Sequence, residues 1–417
     1  MRPPLDRNLP PQHAAMNQFT VRNNCLEIGG RSLLEISAEM GNKPFYAYDL
    51  NVVDAQIATL RNALPSEIRL HYAVKANPMP QLVRHMAKCT DGLDVASGGE
   101  LQLALASGAL PETISFAGPG KQRDELAAAV MAGVTLNIES EGEMHRVAAL
   151  GQALDKRPKV AVRINPDFEL KTSGMKMSGG AKPFGVDAEK VPDLLHTLAA
   201  LPLNFCGFHI FCGSQSLRPE AIMAAQTSTF ELAFRLAKEC PMPIATLNIG
   251  GGLGVPYFPG EKRLPLAGIS DNLRECLRRA ETHLPDTEIA MELGRFFVAE
   301  AGIYVCQIVD KKESRGEVFL VTNGGLNHHL AASGNFGQVI RKNYPVCIGN
   351  RLSDDNLQEV SIVGPLCTPL DILAEKVSLP TADIDDLVVV YQSGAYGYSS
   401  SPHGFLGHPP PSQCIFP

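Results

Sequence analysis

The feature that most constrains the fold of this chain is a unit of one apolar strand run, a turn and an amphipathic helix, repeated eight times. Each run is short and continuously apolar, as expected for a strand buried on both faces of a parallel sheet. The runs are Leu70 to Lys75, Gly92 to Ala96, Ile114 to Ala117, Thr135 to Glu139, Val160 to Asn165, Cys206 to Phe211, Thr246 to Gly250 and Ile289 to Glu292. Eight such units predict an α/β fold, a (β/α)8 barrel rather than an open doubly wound sheet.

The same pattern divides the chain into four segments. Residues 1–18 are rich in proline and polar residues and are predicted to form a loose tail, in which Met16 is a second candidate start. Residues 19–44 contain short β-type runs and are predicted to join a second domain, whereas residues 45–295 form the barrel. From residue 296 to 417, apolar runs follow one another without long helices, which predicts a C-terminal all-β domain.

Composition narrows the class of protein. Of the 417 residues, 45% are hydrophobic and 19% charged, so a sizeable core is expected and extensive disorder is not. The net charge of -7 argues against a nucleic-acid surface or a basic membrane patch, and no stretch has the length of a membrane span. The ten cysteines form no CxxC pair and no zinc-type spacing with histidine. We therefore expect a cytoplasmic protein with reduced thiols, no metal and a small-molecule partner.

Polar residues or glycines fall at the predicted C-terminal ends of all eight strands, where (β/α)8 barrels carry their active sites. The most informative is Lys75, at the end of the first apolar run. Burial lowers the pKa of a lysine and makes its amine a nucleophile toward carbonyl groups. From this run alone, a lysine whose ammonium reaches water is the better interpretation. The residues at the other strand ends favour the interpretation of Lys75 as a nucleophile.

Three successive glycines, Gly250, Gly251 and Gly252, end the seventh strand. Such a run lets backbone N–H groups approach an anion such as phosphate, although a structural turn explains the run alone equally well. The spacing fits neither the dinucleotide-binding GxGxxG pattern nor a Walker A loop. Combined with a lysine that attacks carbonyl groups, the glycines favour pyridoxal 5'-phosphate, an aldehyde that carries a phosphate.

Two further strand-end residues suit the ring of this cofactor. Glu292 would keep the pyridine nitrogen protonated, so that the ring withdraws electrons from a carbanion. The alternative for Glu292 is an ordinary surface or helix-terminal carboxylate. His209 would stack on the ring face, but taken alone a histidine satisfied within the core is the better interpretation.

Eight ordered motifs resemble the fold type III decarboxylases, the diaminopimelate and ornithine decarboxylase group. They are Tyr72-Ala-Val-Lys-Ala-Asn, Asp94-Val-Ala-Ser-Gly-Gly-Glu-Leu, Arg163-Ile-Asn-Pro, His209-Ile-Phe-Cys-Gly-Ser, Gly250-Gly-Gly, Glu292-Leu-Gly-Arg, Gly364-Pro-Leu-Cys-Thr-Pro-Leu-Asp and Gly394-Ala-Tyr-Gly. The resemblance runs from about Pro44 to the C-terminus. Within the group, residues 331–345 and 401–406 look most like decarboxylases of the exosortase A system and those acting on carrier-bound glutamate in aminoglycoside assembly.

The resemblance implies an alanine-racemase-like barrel, a pyridoxal-phosphate-dependent α-decarboxylase and a homodimer with shared active sites. Lys75 would bind the cofactor covalently, His209 would stack on its ring and Glu292 would pair with its nitrogen. Residues implied to hold the phosphate are Ser214, Gly250, Gly251, Gly252, Gly294, Arg295 and Tyr396, with Asp94 and Arg163 supporting the lysine and cofactor. Residues implied to act on the substrate are Arg295, Arg341, Tyr344, Asp371 and Cys367, of which Cys367 and Asp371 would reach the partner's site and Cys367 would return a proton after CO2 leaves.

One position departs from the group. Diaminopimelate decarboxylases carry, just after the cysteine, an acid that meets the distal ammonium of the substrate, whereas this chain has Thr368. The departure predicts a carrier-bound or acylated amino acid as substrate. A diaminopimelate or ornithine decarboxylase acting on the free amino acid is the alternative. A racemase, which usually pairs an arginine with the ring nitrogen, is disfavoured by Glu292, and a non-catalytic cofactor carrier has no need of Cys367.

Overall fold

A computed structural model of the chain describes residues 11–168, 178–338 and 340–417, and the backbone of 175–176. Residues 1–10 of the predicted tail lie outside the described residues. The described chain forms two compact units. The barrel unit comprises Val53–Gly254 and Leu264–Val298, and the β unit comprises the described part of Met1–Val52 together with Val255–Arg263 and Ala299–Pro417.

The strands and helices are numbered in chain order. The strands are β1 (Thr20–Arg22), β2 (Cys25–Ile28), β3 (Arg31–Ser32), β4 (Phe45–Asp49), β5 (Ile68–Ala73), β6 (Gly92–Val95), β7 (Ile114–Phe116), β8 (Thr135–Ile138), β9 (Lys159–Asn165), β10 (Met175–Lys176), β11 (Val186–Asp187), β12 (Asn204–Ile210), β13 (Gly213–Ser214), β14 (Thr246–Asn248), β15 (Glu288–Leu293), β16 (Gly302–Ser314), β17 (Glu317–Thr322), β18 (Val346–Ile348), β19 (Leu357–Val363), β20 (Ile372–Pro380), β21 (Leu387–Val390) and β22 (Ser412–Phe416). The helices are α1 (Leu33–Glu39), α2 (Leu50–Ala63), α3 (Pro80–Cys89), α4 (Gly98–Ala106), α5 (Arg123–Ala132), α6 (Glu141–Ala153), α7 (Val191–Ala199), α8 (Pro219–Ala237), α9 (Ala267–His283) and α10 (Arg295–Val298).

The barrel unit contains a closed parallel sheet in the order β5-β6-β7-β8-β9-β12-β14-β15, in which β15 pairs with β5. Each of the eight predicted strand runs overlaps one of these strands, so the predicted (β/α)8 barrel is confirmed. Strand β11 extends the sheet beside β9. Because all eight strands are parallel, their C-terminal ends share one rim of the barrel, and this rim gathers the candidate site residues.

Local signals in the sequence fix several helix ends in the barrel unit. The side chains of Ser97 and Ser140 each accept the N–H group three residues further on and so cap the first turns of α4 and α6. Helix α3 begins with Pro80, which needs no hydrogen-bond partner for a backbone N–H. Helix α5 ends at Gly133, whose φ of 78° is in the left-handed region that glycine adopts without strain.

The β unit differs from the predicted domain limits in one strand. Residues 45–49 were predicted to begin the barrel, but β4 pairs antiparallel with β16 and parallel with β22 in the sheet of the β unit. All five residues of β4 are buried, and burial on both faces occurs in either sheet, so the apolar run could not identify the partner strands. The remaining order of this sheet is β18-β21-β16-β17-β19-β20.

A second difference concerns the loop Val255–Arg263, which was predicted to lie in the barrel but belongs to the β unit. Gln392 donates a hydrogen bond to the carbonyl of Pro256, and Arg263 pairs with Glu300. Both partners are more than 30 residues away in sequence, which is why the local pattern did not reveal the assignment. Among the described residues, no helix has the length and hydropathy needed to cross a membrane.

Candidate active site

Lys75 lies just beyond the first barrel strand. Strand β5 ends at Ala73, before the limit predicted for it, and Lys75 occupies the following 3-10 turn, Val74–Ala76. Val74 and Ala76 are buried, whereas the side chain of Lys75 is exposed, with Nζ 5.5 Å from the centroid of the Phe211 ring. The amine is therefore held on a buried turn at the strand mouth, where a carbonyl ligand can reach it.

Glu292 and His209 form a buried hydrogen-bonded pair inside the rim. His209 Nε2 lies 3.0 Å from Glu292 Oε2, and Asn248 Nδ2 donates to the same oxygen at 3.3 Å. Burial tends to raise the pKa of Glu292, but the imidazole of His209, with smaller contributions from Lys75 and Arg163, lowers it to about 2. Glu292 is therefore an ionised carboxylate in an apolar setting, not the surface charge that was its alternative interpretation.

The second ring nitrogen of His209, Nδ1, makes no hydrogen bond to any described residue. The imidazole is 2% exposed. A buried polar atom without a partner is uncommon in folded proteins and marks a place where a ligand or water completes the arrangement. From sequence alone, the better interpretation of His209 was a core histidine with its hydrogen bonds satisfied. That interpretation agrees with the contact of Nε2 but not with Nδ1, which has no hydrogen-bond partner among the described residues.

Arg163 is fixed by a carboxylate at the end of the neighbouring strand. Its Nη1 donates to Glu139 Oε1 at 3.0 Å, and the guanidinium carbon lies 5.1 Å from the centroid of the Phe184 ring. Glu139 also accepts the N–H groups of Gly118 and Gly185. Its carboxylate thus connects the end of Arg163's strand with the two loops that contain these glycines. Sequence reasoning noted Glu139 as an unusual strand-end residue and gave it no role.

Asp94 belongs to a second buried cluster that sequence reasoning largely missed. Its Oδ1 accepts the hydroxyl of Ser115 at 2.5 Å and lies 3.6 Å from Nδ1 of His71, while Oδ2 has no partner among the described residues. Burial lowers the pKa of His71, but Asp94 outweighs that effect and the net change is upward. His71 stands directly beside Glu292 in the register of β5 and β15. A histidine within an apolar strand was the signal available in the sequence.

The glycine run is required by close packing as well as by its backbone angles. Gly250 and Gly252 have φ values of 67° and 90°, which disfavour other residues. A Cβ atom on Gly251 would lie 2.1 Å from the carbonyl oxygen of Glu292. The backbone of this run therefore packs directly against the strand that carries Glu292. A structural role of the glycines in this turn is compatible with a second role in binding an anion. Gly294 is also packed closely, since its Cβ would lie 2.8 Å from that of Ala76.

The remaining predicted barrel residues lie on the same rim. Ser214 ends the short strand β13, and Arg295 begins α10 immediately after β15. Both side chains are half-buried. The rim therefore offers an accessible amine, an ionised buried carboxylate, unpaired buried atoms on His209 and Asp94, and a glycine turn. Pyridoxal 5'-phosphate fits this set, because it carries an aldehyde, a basic ring nitrogen and a phosphate.

The predicted residues of the β unit fall into two groups. Cys367 is exposed, and Tyr396 is half-buried with a φ of 55°, a strained value for a tyrosine of the kind found at functional sites. Asp371, in contrast, is only 3% exposed. Its two carboxylate oxygens accept the N–H groups of Leu326 and Leu366 at 2.6 and 2.7 Å. That Asp371 reaches a partner's substrate stays a prediction; within the chain, its carboxylate holds the turn that carries Cys367.

Arg341 and Tyr344 are also engaged within the β unit. The guanidinium of Arg341 donates to the carbonyls of Ser333 and Ile372 and to the side chain of Asn343. Tyr344 is 5% exposed, with its ring 4.8 Å from that of Tyr257. Their predicted contact with substrate stays a prediction; within the chain, Arg341 holds neighbouring segments of the β unit together through these hydrogen bonds.

Replacing Asp371 with asparagine should destabilise the chain by about 1 to 3 kcal/mol, because an amide has one acceptor for two buried N–H groups and leaves one unpaired. Urea denaturation measures the effect. Asp355→Asn, which alters an exposed carboxylate of the same unit, is the control and should change the free energy of unfolding by less than about 0.5 kcal/mol. Equal effects of the two substitutions would contradict the role assigned to Asp371.

A parallel barrel whose rim holds an accessible lysine, a buried carboxylate paired to histidine and a glycine turn fits one class, the barrel enzymes that use pyridoxal 5'-phosphate. Residues 50–299 match the family model described as pyridoxal-dependent decarboxylase, pyridoxal binding domain. The chain belongs to this family. It is a pyridoxal-phosphate-dependent decarboxylase of amino acids or their derivatives.

Known relatives extend the match beyond the barrel. The chain is 36% identical over 378 residues to L-glutamyl-[BtrI acyl-carrier protein] decarboxylase of Niallia circulans, covering 89% of this chain and 88% of that protein. It is 31% identical over 385 residues to diaminopimelate decarboxylase of Aquifex aeolicus, covering 92% and 88%. The solved structure of AQ1208 from Aquifex aeolicus superposes with a TM-score of 0.84 at 28% identity, covering 96% of this chain and 93% of that one.

Proposed function

We propose that this decarboxylase acts on an amino acid whose distal end carries no free ammonium group, such as a glutamyl group joined to an acyl carrier protein. The observation that carries the proposal is the turn formed by residues 364–371, around Cys367. Thr368 is neutral, and the carboxylate of Asp371 is bound by two backbone N–H groups. Thr368 therefore supplies no carboxylate to a distal ammonium, and the lack of such a charge-assisted hydrogen bond costs a diamino substrate about 1.5 to 3 kcal/mol of binding.

The comparison with relatives supports the same substrate class. The relative that acts on a carrier-bound glutamyl group shares more identity with this chain than the diaminopimelate decarboxylase of Aquifex aeolicus does. A glutamyl group joined through its side chain keeps the α-amino and α-carboxyl groups that decarboxylation requires. It presents a neutral acyl linkage where diaminopimelate presents a charged amine.

Each rim residue then has a role toward the cofactor. Bound pyridoxal 5'-phosphate supplies an electron-withdrawing ring that makes loss of CO2 feasible. Lys75 would hold the cofactor covalently through Nζ, Glu292 would keep the ring nitrogen protonated, and His209 would pack against the ring. Residues proposed to bind the phosphate are Ser214, Gly250, Gly251, Gly252, Gly294, Arg295 and Tyr396. Asp94 and Arg163 orient this set through their hydrogen bonds.

Cys367 is proposed to donate the proton that replaces CO2, in an active site completed by a second copy of the chain. Exposed apolar side chains near Cys367 support such an interface: Leu370 and Phe336 are 58% and 38% exposed. Asn335 donates a hydrogen bond to the carbonyl of Leu370, so the two segments are adjacent. Exposed apolar clusters of this kind mark protein interfaces, and a homodimer would bury this one.

The substrate is tested by measuring CO2 release from the cofactor-loaded enzyme. The free amino acids are meso-diaminopimelate, ornithine, lysine, arginine and glutamate, and the acylated substrate is an L-glutamyl thioester of an acyl carrier protein. Lys75→Ala serves as the blank. We expect turnover of the thioester to exceed that of every free amino acid by at least about 10-fold, the ratio equivalent to 1.4 kcal/mol. Faster turnover of free diaminopimelate would overturn the proposed substrate while leaving the decarboxylase intact.

Thr368→Glu tests the turn directly. An acid at this position should raise kcat/KM for free diaminopimelate by about 10-fold and lower it for the thioester, because it adds a charge-assisted bond for an ammonium group. Thr368→Gln is the matched control, with the same size and no charge. If Thr368→Glu and Thr368→Gln change the two substrates alike, charge at this position does not select the substrate.

A further inference from the structure

Away from the rim, the barrel unit brings three side chains with metal-binding atoms to one point. Asp54 lies in α2, and His85 and Cys89 lie four residues apart in α3, on the same face of the helix. One ligand atom from each, the carboxylate oxygen, imidazole nitrogen and thiol sulfur, lies within 4.8 Å of the others. No metal was expected from the sequence, since the cysteines show no zinc-type spacing; this cluster depends on Asp54, which is 31 residues from His85.

The distances are close to those of a tetrahedral zinc site. With Zn–S near 2.3 Å and Zn–N or Zn–O near 2.0 Å, sulfur lies about 3.5 Å from nitrogen or oxygen, and nitrogen about 3.3 Å from oxygen. Here Cys89 Sγ lies 3.6 Å from His85 Nε2 and 4.0 Å from Asp54 Oδ1. His85 Nε2 and Asp54 Oδ1 are 2.6 Å apart, the length of a hydrogen bond. Side-chain shifts of well under 1 Å convert this arrangement into a coordination shell.

The arrangement is unsuited to the other chemistry that these residue types support. In a cysteine–histidine–aspartate relay, the aspartate binds one ring nitrogen and the thiol the other, so that the imidazole passes a proton between them. Here Asp54 and Cys89 both approach Nε2 of His85. The three ligand atoms thus lie around one point and do not form a chain from aspartate through histidine to cysteine. This arrangement is typical of a metal site.

Access to the cluster is open. The Asp54 side chain is 53% exposed and that of His85 is 21% exposed, while Cys89 is half-buried. We propose that Asp54, His85 and Cys89 bind one Zn²⁺ ion, with water at the fourth position. The ion cross-links α2 to α3, the helix that follows the Lys75 turn, and stabilises the folded chain by mass action because it binds the folded form preferentially.

The test titrates the cofactor-loaded protein with Zn²⁺ by calorimetry and with Co²⁺ by absorption spectroscopy, in which a coordinated thiolate gives a charge-transfer band. The variants are Cys89→Ser, His85→Asn and Asp54→Asn. Cys240→Ser, which alters a half-buried thiol elsewhere in the barrel unit, is the matched control. Far-UV circular dichroism and the cofactor absorption band establish that each variant is folded.

We expect one ion per chain in the wild type and in Cys240→Ser, at least about 10-fold weaker binding in each of the three variants, and no thiolate band in Cys89→Ser. Zn²⁺ should also raise the melting temperature of the wild type and not that of the variants. Asp54 is exposed, so Asp54→Asn should not disturb the core, and weaker Zn²⁺ binding in this variant cannot be ascribed to misfolding. Absence of binding to the wild type at micromolar Zn²⁺, or equal binding in Cys89→Ser and Cys240→Ser, would overturn the site.

Discussion

Lys75→Ala should lower kcat/KM for decarboxylation by about 10³-fold or more, because the variant loses the amine proposed to bind the cofactor covalently. The exposed amine on a buried turn has the access that this role needs. Borohydride reduction followed by peptide mass spectrometry gives a readout that does not depend on turnover. The cofactor should be fixed to the peptide containing Lys75 in the wild type and to no peptide in the variant.

Two control variants distinguish loss of the covalent bond from loss of the positive charge at residue 75. Lys75→Arg keeps a cation at the strand mouth but should be as inactive as Lys75→Ala, since a guanidinium does not form the covalent bond under these conditions. Lys156→Ala removes an exposed lysine of the barrel unit and should leave activity unchanged. Labelling of another lysine in the wild type, or activity in Lys75→Ala within about 10-fold of the wild type, would exclude Lys75 as the anchor.

Glu292→Gln is expected to have the next largest effect, a loss of about 10²- to 10³-fold in kcat, as for other groups that stabilise charge at a reacting centre. A neutral amide cannot hold a proton on the ring nitrogen as a buried carboxylate does. Steady-state kinetics should show the loss mainly in kcat, since Glu292 is proposed to act on the cofactor ring rather than on the substrate. The cofactor absorption band should shift in the variant even without substrate.

Asn248→Ala is the matched control for Glu292. It removes the longer hydrogen bond to the same carboxylate oxygen, at 3.3 Å, and leaves the charge and the His209 contact in place. The expected loss is about 10-fold or less, equivalent to roughly 1 kcal/mol. A loss in Asn248→Ala as large as that in Glu292→Gln would mean that the hydrogen-bond network, rather than the charge, is what the cofactor requires.

The lowered pKa of Glu292 also has a consequence for the cofactor-free protein. A carboxyl whose pKa is lower in the folded than in the unfolded state stabilises folding above its unfolded pKa, near 4.5, and this contribution is lost as pH falls toward about 2. The difference in unfolding free energy between the wild type and Glu292→Gln should therefore shrink below pH 4.5. A constant difference across this range would contradict the His209 contact as its source.

The sequence by itself determined the barrel, because the strand and helix periods are local properties of the chain. Local signals also set helix limits: α3 and α7 have a proline in the first turn, and α5 is followed by Gly133. The strand-end position of Lys75, His209 and Glu292 followed from the same pattern, since parallel strands put their C-terminal ends on one rim.

Tertiary structure decided what depends on partners far apart in the chain. The apolar run of β4 fits a strand of either unit, and only pairing with β16 and β22 places it in the β unit. Asp371 follows the cysteine motif in sequence, but only the folded chain brings its carboxylate to the N–H groups of Leu326 and Leu366. The cluster of Asp54 with His85 and Cys89 exists only where two helices pack together. Periodicity specifies which faces are buried, but which groups satisfy one another there is set by contacts that no local pattern encodes.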